Sequence, residues 1–203
     1  MSRARNRKKK KGGCSKGLFT FFLLLLVTAV LIFSGAVSNL KNYIEKQMYP
    51  LEYKEEILLA AAKYDFEPEF LCAVIHTESK FRAQAQSSAG AAGLMQLMPE
   101  TFAEIADRKG EERSREDMLI PEISIDYGAY YLRHLADSFD YKDIYTACAA
   151  YNAGAGNVNR WLTDTQYSHD GVSLYTTPYK ETTNYIERIK TAQDMYQKLY
   201  FDQ

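Results

Sequence analysis

Three cysteines in 203 residues are too few to staple a fold, which excludes a disulfide scaffold. The three histidines, His76, His134 and His169, are scattered, and no Cys/His spacing suits zinc. Neither a metal nor a cofactor is expected, and no nucleotide-binding loop is present. No segment sustains a polar–apolar alternation of period two and no internal repeat occurs, so a sheet-based architecture is excluded and an all-α domain is left. Charge itself is missing from Leu18 to Val37, a run of 20 residues.

That run is apolar, and at ~1.5 Å per residue it matches the ~30 Å of a bilayer's hydrocarbon core. Ahead of it stand Arg3, Arg5, Arg7, Lys8, Lys9, Lys10, Lys11 and Lys16. The more cationic flank stays in the cytoplasm, which puts the rest of the chain outside the cell membrane on a single-pass anchor. A cleaved signal peptide is the competing reading, because Ser34–Gly35–Ala36 offers small residues near a cleavage point; the apolar run is nevertheless longer than the usual ~7–15 residues.

The formal charge of −1 conceals an asymmetry: setting aside the eight cations of the head leaves −9 on everything after residue 17. An acidic domain argues against nucleic acid as a partner. It also lacks any long-range attraction for an anionic polymer, so recognition of one must be local. Cys14 precedes the apolar run, unlike a lipoprotein cysteine. Cys72 and Cys148 lie in apolar helical segments, where pairing in an oxidising compartment and buried free thiols are both open.

Along the chain, Glu55–Tyr64 reads as a helix with Ile57, Leu58, Ala61 and Tyr64 on one face. Pro68 then opens a second helix whose stripe is Phe70, Leu71, Val74 and Ile75. Further helices are expected from Pro99 to Lys109, closed by Gly110, and over Ile123–Phe139, Ile144–Tyr151 and Glu181 to about Tyr200. Residues 107–122 read as a charged surface connection. Asn152 to Gly156 turns the chain sharply. Trp161 reads as a core anchor, with a sugar-stacking platform as the alternative, and residues 162–180 are irregular enough to border a groove. The expected total is about six to eight helices after the apolar run.

Glu78 continues the stripe of its helix. A carboxyl there loses water, which raises its pKa, and the negative end of the helix dipole acts the same way. A carboxyl kept protonated near neutral pH is what a general acid requires; the alternative is a frayed, solvated helix end. Downstream, Gly90 and Gly93 permit close backbone approach to a ligand, and Gln96 can both donate and accept.

Four elements occur in order: Glu78–Ser79, Gly93–Leu94–Met95–Gln96, Ala150–Tyr151–Asn152–Ala153–Gly154, and Glu181–Thr182–Thr183–Asn184–Tyr185. Together they resemble the core of the soluble-type lytic transglycosylases (SLT domain) of the goose-type lysozyme superfamily. The resemblance covers roughly residues 51–200. One departure is Ser124, where family members often carry Asn.

The resemblance implies a lysozyme-like helical domain with a cleft. The organisation becomes a basic cytoplasmic head at 1–17, a transmembrane anchor at 18–37, a juxtamembrane stalk at 38–50 and a catalytic domain at 51–203. The implied reaction cuts the β-1,4 bond between N-acetylmuramic acid and N-acetylglucosamine in peptidoglycan glycan strands, leaving 1,6-anhydro-muramyl ends, with Glu78 as the single acid and base. Ser87, Gln96, Tyr151, Asn152 and Tyr185 are the candidate substrate-binding residues. Tyr185 is also the candidate to hold Glu78, and Tyr151 to wall the sugar site. Ser79 is expected to fix the end of the Glu78 helix, and Glu181 to support a helix start. Alternatives are a hydrolytic muramidase of the same fold and a non-catalytic glycan-binding scaffold.

Overall fold

In the computed structural model, residues 14–202 are described; residues 1–13 of the expected head lie outside them. The chain divides into two units, one up to Glu45 and one from Lys46 onward.

The first unit is the greater part of α1 (Cys14–Met48), a helix of 35 residues. Its stretch from Phe19 to Met48 is long and apolar enough to cross a membrane. Large apolar side chains such as Phe22, Leu26, Leu31, Ile32 and Phe33 are exposed along it, which in water would leave them unsatisfied and in lipid would not. Its hydroxyls turn inward on the backbone: Thr28 Oγ1 donates to Leu25 O and Ser34 Oγ to Leu31 O, each at 2.9 Å. Lipid demands that kind of internal satisfaction. The helix continues through residues 38–48 of the expected stalk.

In the second unit, α2 (Lys54–Tyr64), α3 (Pro68–Ser79), α4 (Pro99–Lys109), α5 (Pro121–Ser138), α6 (Ile144–Ala153), α7 (Ala155–Leu162) and α8 (Lys180–Tyr196) follow in order. No strand occurs among the described residues, only two isolated bridges in the loop after α3. The all-α expectation therefore holds. Prolines open α3, α4 and α5 at their first turns, where the missing N–H costs nothing. Asp143 caps α6 by accepting from the N–H groups of Tyr145 and Thr146 at 2.9 and 3.0 Å.

α3 lies at the centre. Phe70 through Ile75 are all buried, and a helix apolar on every side must be enclosed on every side. It packs along α8, while α5 and α6 join α2, α7 and α8 around it. Trp161 is buried, edge-on to Tyr179 with ring centroids 5.0 Å apart, which favours the core role. Cys72 and Cys148 are free and buried, and burial pushes the Cys72 thiol up to about 12 and Cys148 higher.

Several boundaries differ from expectation: α6 runs on to Ala153, and α7 occupies Ala155–Leu162, a stretch the sequence did not assign to a helix. The connection at 107–122 contains a 3-10 turn, Arg115–Leu119, whose Met118 is buried in a second apolar cluster with Phe102, Ile105 and Tyr127. One apolar side chain among charges was enough to pull the connection inward. α5 correspondingly begins at Pro121 rather than Ile123. At the other end, α8 gives way after Tyr196 to a π-turn over Gln197–Phe201.

Candidate active site

The last turn of α3 carries Glu78, and the chain leaves that turn abruptly. Ser79 is buried and donates to Ile75 O at 3.1 Å. Lys80 and Phe81 both adopt left-handed backbone, φ 52° and 61°. Two consecutive non-glycine residues in that region are strained. Their neighbours hold them there: the Lys80 N–H donates to His76 O, Arg82 donates to Ser79 O through both its backbone N–H and Nε, and Phe81 is buried against Tyr196. The Ser79 hydroxyl thus bonds within the last turn of α3.

Tyr185 reaches Glu78 from α8 across 107 residues of sequence, donating its hydroxyl to Glu78 Oε1 at 2.6 Å. Burial pushes the Glu78 carboxyl up to about 7; the Tyr185 bond and the charge of Arg188 pull the other way and do not prevail. Burial and the nearby Glu78 charge hold the Tyr185 phenol well above its ordinary range, so it remains a donor.

The loop after α3 closes on itself. The Gly93 N–H donates to Ala85 O, Ser87 N–H to Ala91 O, and Ala91 N–H to Ser87 Oγ. Gln96, itself at φ 48°, donates from Nε2 to Ala85 O at 3.0 Å and to Gly93 O at 2.8 Å. Both amide hydrogens are consumed inside the loop, so only Oε1 is left to face a substrate. This narrows the donor-and-acceptor role expected for Gln96.

Met95 anchors the loop to two helices. Its N–H donates to Ser124 Oγ of α5 at 3.3 Å, and its carbonyl accepts from the Tyr151 hydroxyl of α6 at 2.7 Å. Ser124, the departure from the family pattern, is buried and holds this bond. Burial and the Glu78 charge keep the Tyr151 phenol protonated. Asn152 is exposed at the end of α6, where its Oδ1 accepts from Thr182 Oγ1 of α8 at 2.9 Å, tying two of the four sequence elements together.

Glu78, Tyr185 and Tyr151 are therefore brought together, with the Gln96 loop and Asn152 held to the same helices. Ser87 lies in an exposed turn organising its own loop, and Glu181 is exposed in the first turn of α8. Arg188 and Thr182 were not singled out from the sequence. The spacing on α8 could have found Arg188, since it follows Tyr185 by three residues on the same helical side.

Tyr185→Phe removes a bond that favours ionised Glu78, so the carboxyl pKa is expected to rise above about 7, with the alkaline limb of any activity displaced upward. A loss in kcat of about 10–100-fold is expected from the lost positioning. An unmoved limb in the pH–rate profile contradicts the coupling.

The sequence model of the family described as Transglycosylase SLT domain matches residues 55–171, more than half of the chain. The Soluble lytic murein transglycosylase of Salmonella typhimurium is 30% identical over 161 residues, covering 78% of this chain and 25% of that protein. The Membrane-bound lytic murein transglycosylase C of Serratia proteamaculans is 27% identical over 188 residues, covering 82% of this chain and 52% of that one. Among solved structures, an inactive mutant of lytic transglycosylase Slt from Pseudomonas aeruginosa superposes with a TM-score of 0.65 at 30% identity, over 74% of this chain and 25% of that chain. The 70 kDa soluble lytic transglycosylase of Escherichia coli shares the fold, with a TM-score of 0.68 at 24% identity. The chain thus spans about a quarter of the length of the soluble relatives and about half that of the membrane-bound one.

Proposed function

The chain belongs to the transglycosylase SLT domain family, and from that membership together with the geometry of Glu78 we propose that it is a peptidoglycan lytic transglycosylase held at the cell membrane by α1. The observation that carries the reading is a carboxyl gripped by Tyr185 at 2.6 Å and desolvated enough that a substantial fraction stays protonated at neutral pH.

Glu78 donates its proton to the oxygen linking N-acetylmuramic acid to N-acetylglucosamine, and the C1–O bond breaks with its electron pair leaving on that oxygen. The muramyl 2-acetamido oxygen relieves the charge developing at C1 by bonding to it. Glu78, now ionised, takes the proton of the muramyl 6-hydroxyl. The O6–C1 bond forms as the acetamido group departs, and Glu78 is restored without water entering. Ordinary glycosidases need a second carboxylate as base or nucleophile. Here the charged group acting on Glu78 is the cation Arg188, and Glu181 stands exposed at a helix start, which supports the one-carboxylate scheme. Tyr185 and Arg188 favour the ionised form and so assist the first proton transfer, while burial raises the basicity that the return of the proton needs. Oε1 of Gln96, the walls given by Tyr151, and the free amide of Asn152 supply sugar contacts, while the glycines of the loop allow close approach.

The cationic head, the uncharged run and the exposed apolar surface of α1 support a single-pass anchor with the N-terminus in the cytoplasm, the arrangement in which the positive flank stays inside.

Digestion of purified peptidoglycan with the full chain in detergent, followed by mass spectrometry of the muropeptides, tests this reading. Anhydro-muramyl ends, lighter by one water than hydrolysed ends, are expected. Reducing muramyl ends indicate a muramidase instead, and binding with no release indicates a scaffold.

A further inference from the structure

Residues 46–53 run from the last turn of α1 to the start of α2 and belong to the second unit. Those up to Pro50 fall in the expected stalk, yet the chain is gripped there. Tyr196 donates its hydroxyl to Pro50 O at 2.9 Å, and Tyr200 donates to Tyr49 O at 2.8 Å. The π-turn over Gln197–Phe201 begins directly after the first of these tyrosines and contains the second; such turns are rare and recur at functional sites. Side chains add to the grip. Tyr49 stacks on His76 of α3, with ring centroids 4.8 Å apart, and meets Tyr196 edge-on at 5.8 Å. Lys46 Nζ sits over the Tyr200 ring, 5.3 Å from its centroid.

These contacts converge on the end of α3. His76 stands two residues before Glu78, and its carbonyl accepts from the Lys80 N–H. Tyr196 is buried, with its ring 5.9 Å from that of His76 and 5.9 Å from that of Phe81. It therefore touches the chain on both sides of Glu78. Lys80 and Phe81 are the two left-handed residues that follow the acid, and such backbone persists only where its surroundings over-determine it. Resting on the transglycosylase reading above, we propose that Tyr49 is a positioning residue of the active site: through His76 and Tyr196 it holds the last turn of α3, and with it the Glu78 carboxyl against Tyr185.

Tyr185 and Tyr196 stand eleven residues apart on α8, about three helical turns, and so face α3 from the same side. One grips the acid at 2.6 Å and the other grips the residues around it. Residues 46–53 add a third element to that contact. The membrane-proximal segment is then a working part of the catalytic domain rather than a spacer.

The test compares Tyr49→Ala, Tyr49→Phe and Phe66→Ala in the full chain in detergent. Phe66 is half-buried, as Tyr49 is, and packs on Phe70 near the N-terminal end of α3, with centroids 5.4 Å apart. Its loss weakens the same helix without touching the last turn. Tyr49→Ala is expected to lower kcat on peptidoglycan about tenfold while KM moves by no more than about twofold, the mark of a displaced acid. Tyr49→Phe keeps the stacked ring and should keep the wild-type kcat, and so should Phe66→Ala. Hydrogen exchange read by mass spectrometry gives a measure independent of activity. In Tyr49→Ala the amides of Lys80 and Arg82, bonded to His76 O and Ser79 O, should exchange about tenfold faster, while residues 70–75 keep their protection. Should Tyr49→Ala fail to fold, Tyr49→Leu replaces it with the same expectations, since it keeps apolar bulk and loses the stacked plane.

A wild-type kcat or wild-type exchange in that variant overturns the proposal. An equal fall in kcat for Phe66→Ala also overturns it, by assigning the effect to stability alone. Absence of cleavage by the wild type defeats the transglycosylase reading instead, and exchange at Lys80 and Arg82 then decides the positioning role by itself.

Discussion

Glu78→Gln is expected to lower the release of anhydro-muramyl ends by about 10³-fold or more while leaving the protein folded. In the proposed mechanism one group supplies both the acid and the base, so its loss would remove two proton transfers, each contributing ~10²–10⁴-fold. The amide keeps the shape of the carboxyl, and its oxygen can still accept from Tyr185. Cleavage at wild-type rates by this variant would sink the mechanism. The same substitution has a stability signature that a merely structural glutamate would not show. The folded carboxyl titrates near 7 against an ordinary 4.5, so between those values the native state holds a proton that the unfolded chain has lost. Stability contributed by this group therefore falls as pH rises from about 4.5 through about 7, and stays low above that. The full difference is of order 3 kcal/mol. Glu78→Gln removes the penalty, so the variant should be the more stable protein at pH 8, with the gain shrinking towards pH 5. Thermal melts at the two pH values check it: a rise in Tm of several degrees at pH 8 is expected, reduced by the amide's own desolvation. A variant less stable than wild type at pH 8 would mean that the carboxyl is not desolvated as described.

The parts of this architecture that could be read from the sequence are those written in local chemistry. α3 is legible because Pro68 marks its first turn and an apolar stripe follows without interruption to Glu78; α4 is legible between Pro99 and Gly110, whose φ is 68°. The Glu78–Tyr185 contact became legible only through the order of the four motifs, since nothing local in α8 reveals what its tyrosine touches 107 residues away. Other features depended on tertiary closure. Gln96 offers two donors and one acceptor wherever it stands, and only the folded loop shows that both donors turn inward on Ala85 and Gly93. Met118 sits among charges that suggest a solvated connection, yet burial of one thioether side chain in the cluster around Phe102 outweighed them.

The largest loss of stability is expected from a glycine. At Gly93 the backbone is left-handed, φ 79°, and a Cβ built there would meet the Met118 carbonyl oxygen at 2.0 Å and Ser124 Oγ at 2.6 Å. The first contact is backbone and cannot swing aside; the second carries the hydrogen bond to the Met95 N–H. Gly93→Ala therefore combines left-handed strain of ~1–2 kcal/mol with overpacking of ~1–3 kcal/mol. A total near 4 kcal/mol is a large fraction of the ~5–15 kcal/mol that holds a domain together, and a Tm lower by roughly 8–16 °C is expected. The loss should extend to activity in whatever remains folded, because the loop that moves carries both the Met95 carbonyl gripped by Tyr151 and the Gln96 side chain. Gly156→Ala serves as the comparison: its Cβ meets nothing within 4 Å, and it lies within α7, where alanine is preferred over glycine by ~0.5–1 kcal/mol. That variant should be as stable as wild type or slightly more so. Equal melting temperatures for the two variants would show that the tight approach of the Gly93 loop to the 3-10 turn does not hold the site together. A selective collapse of Gly93→Ala would show that the site is built on that approach, with Glu78 delivered by one rigid helix and the sugar-facing loop fixed against another.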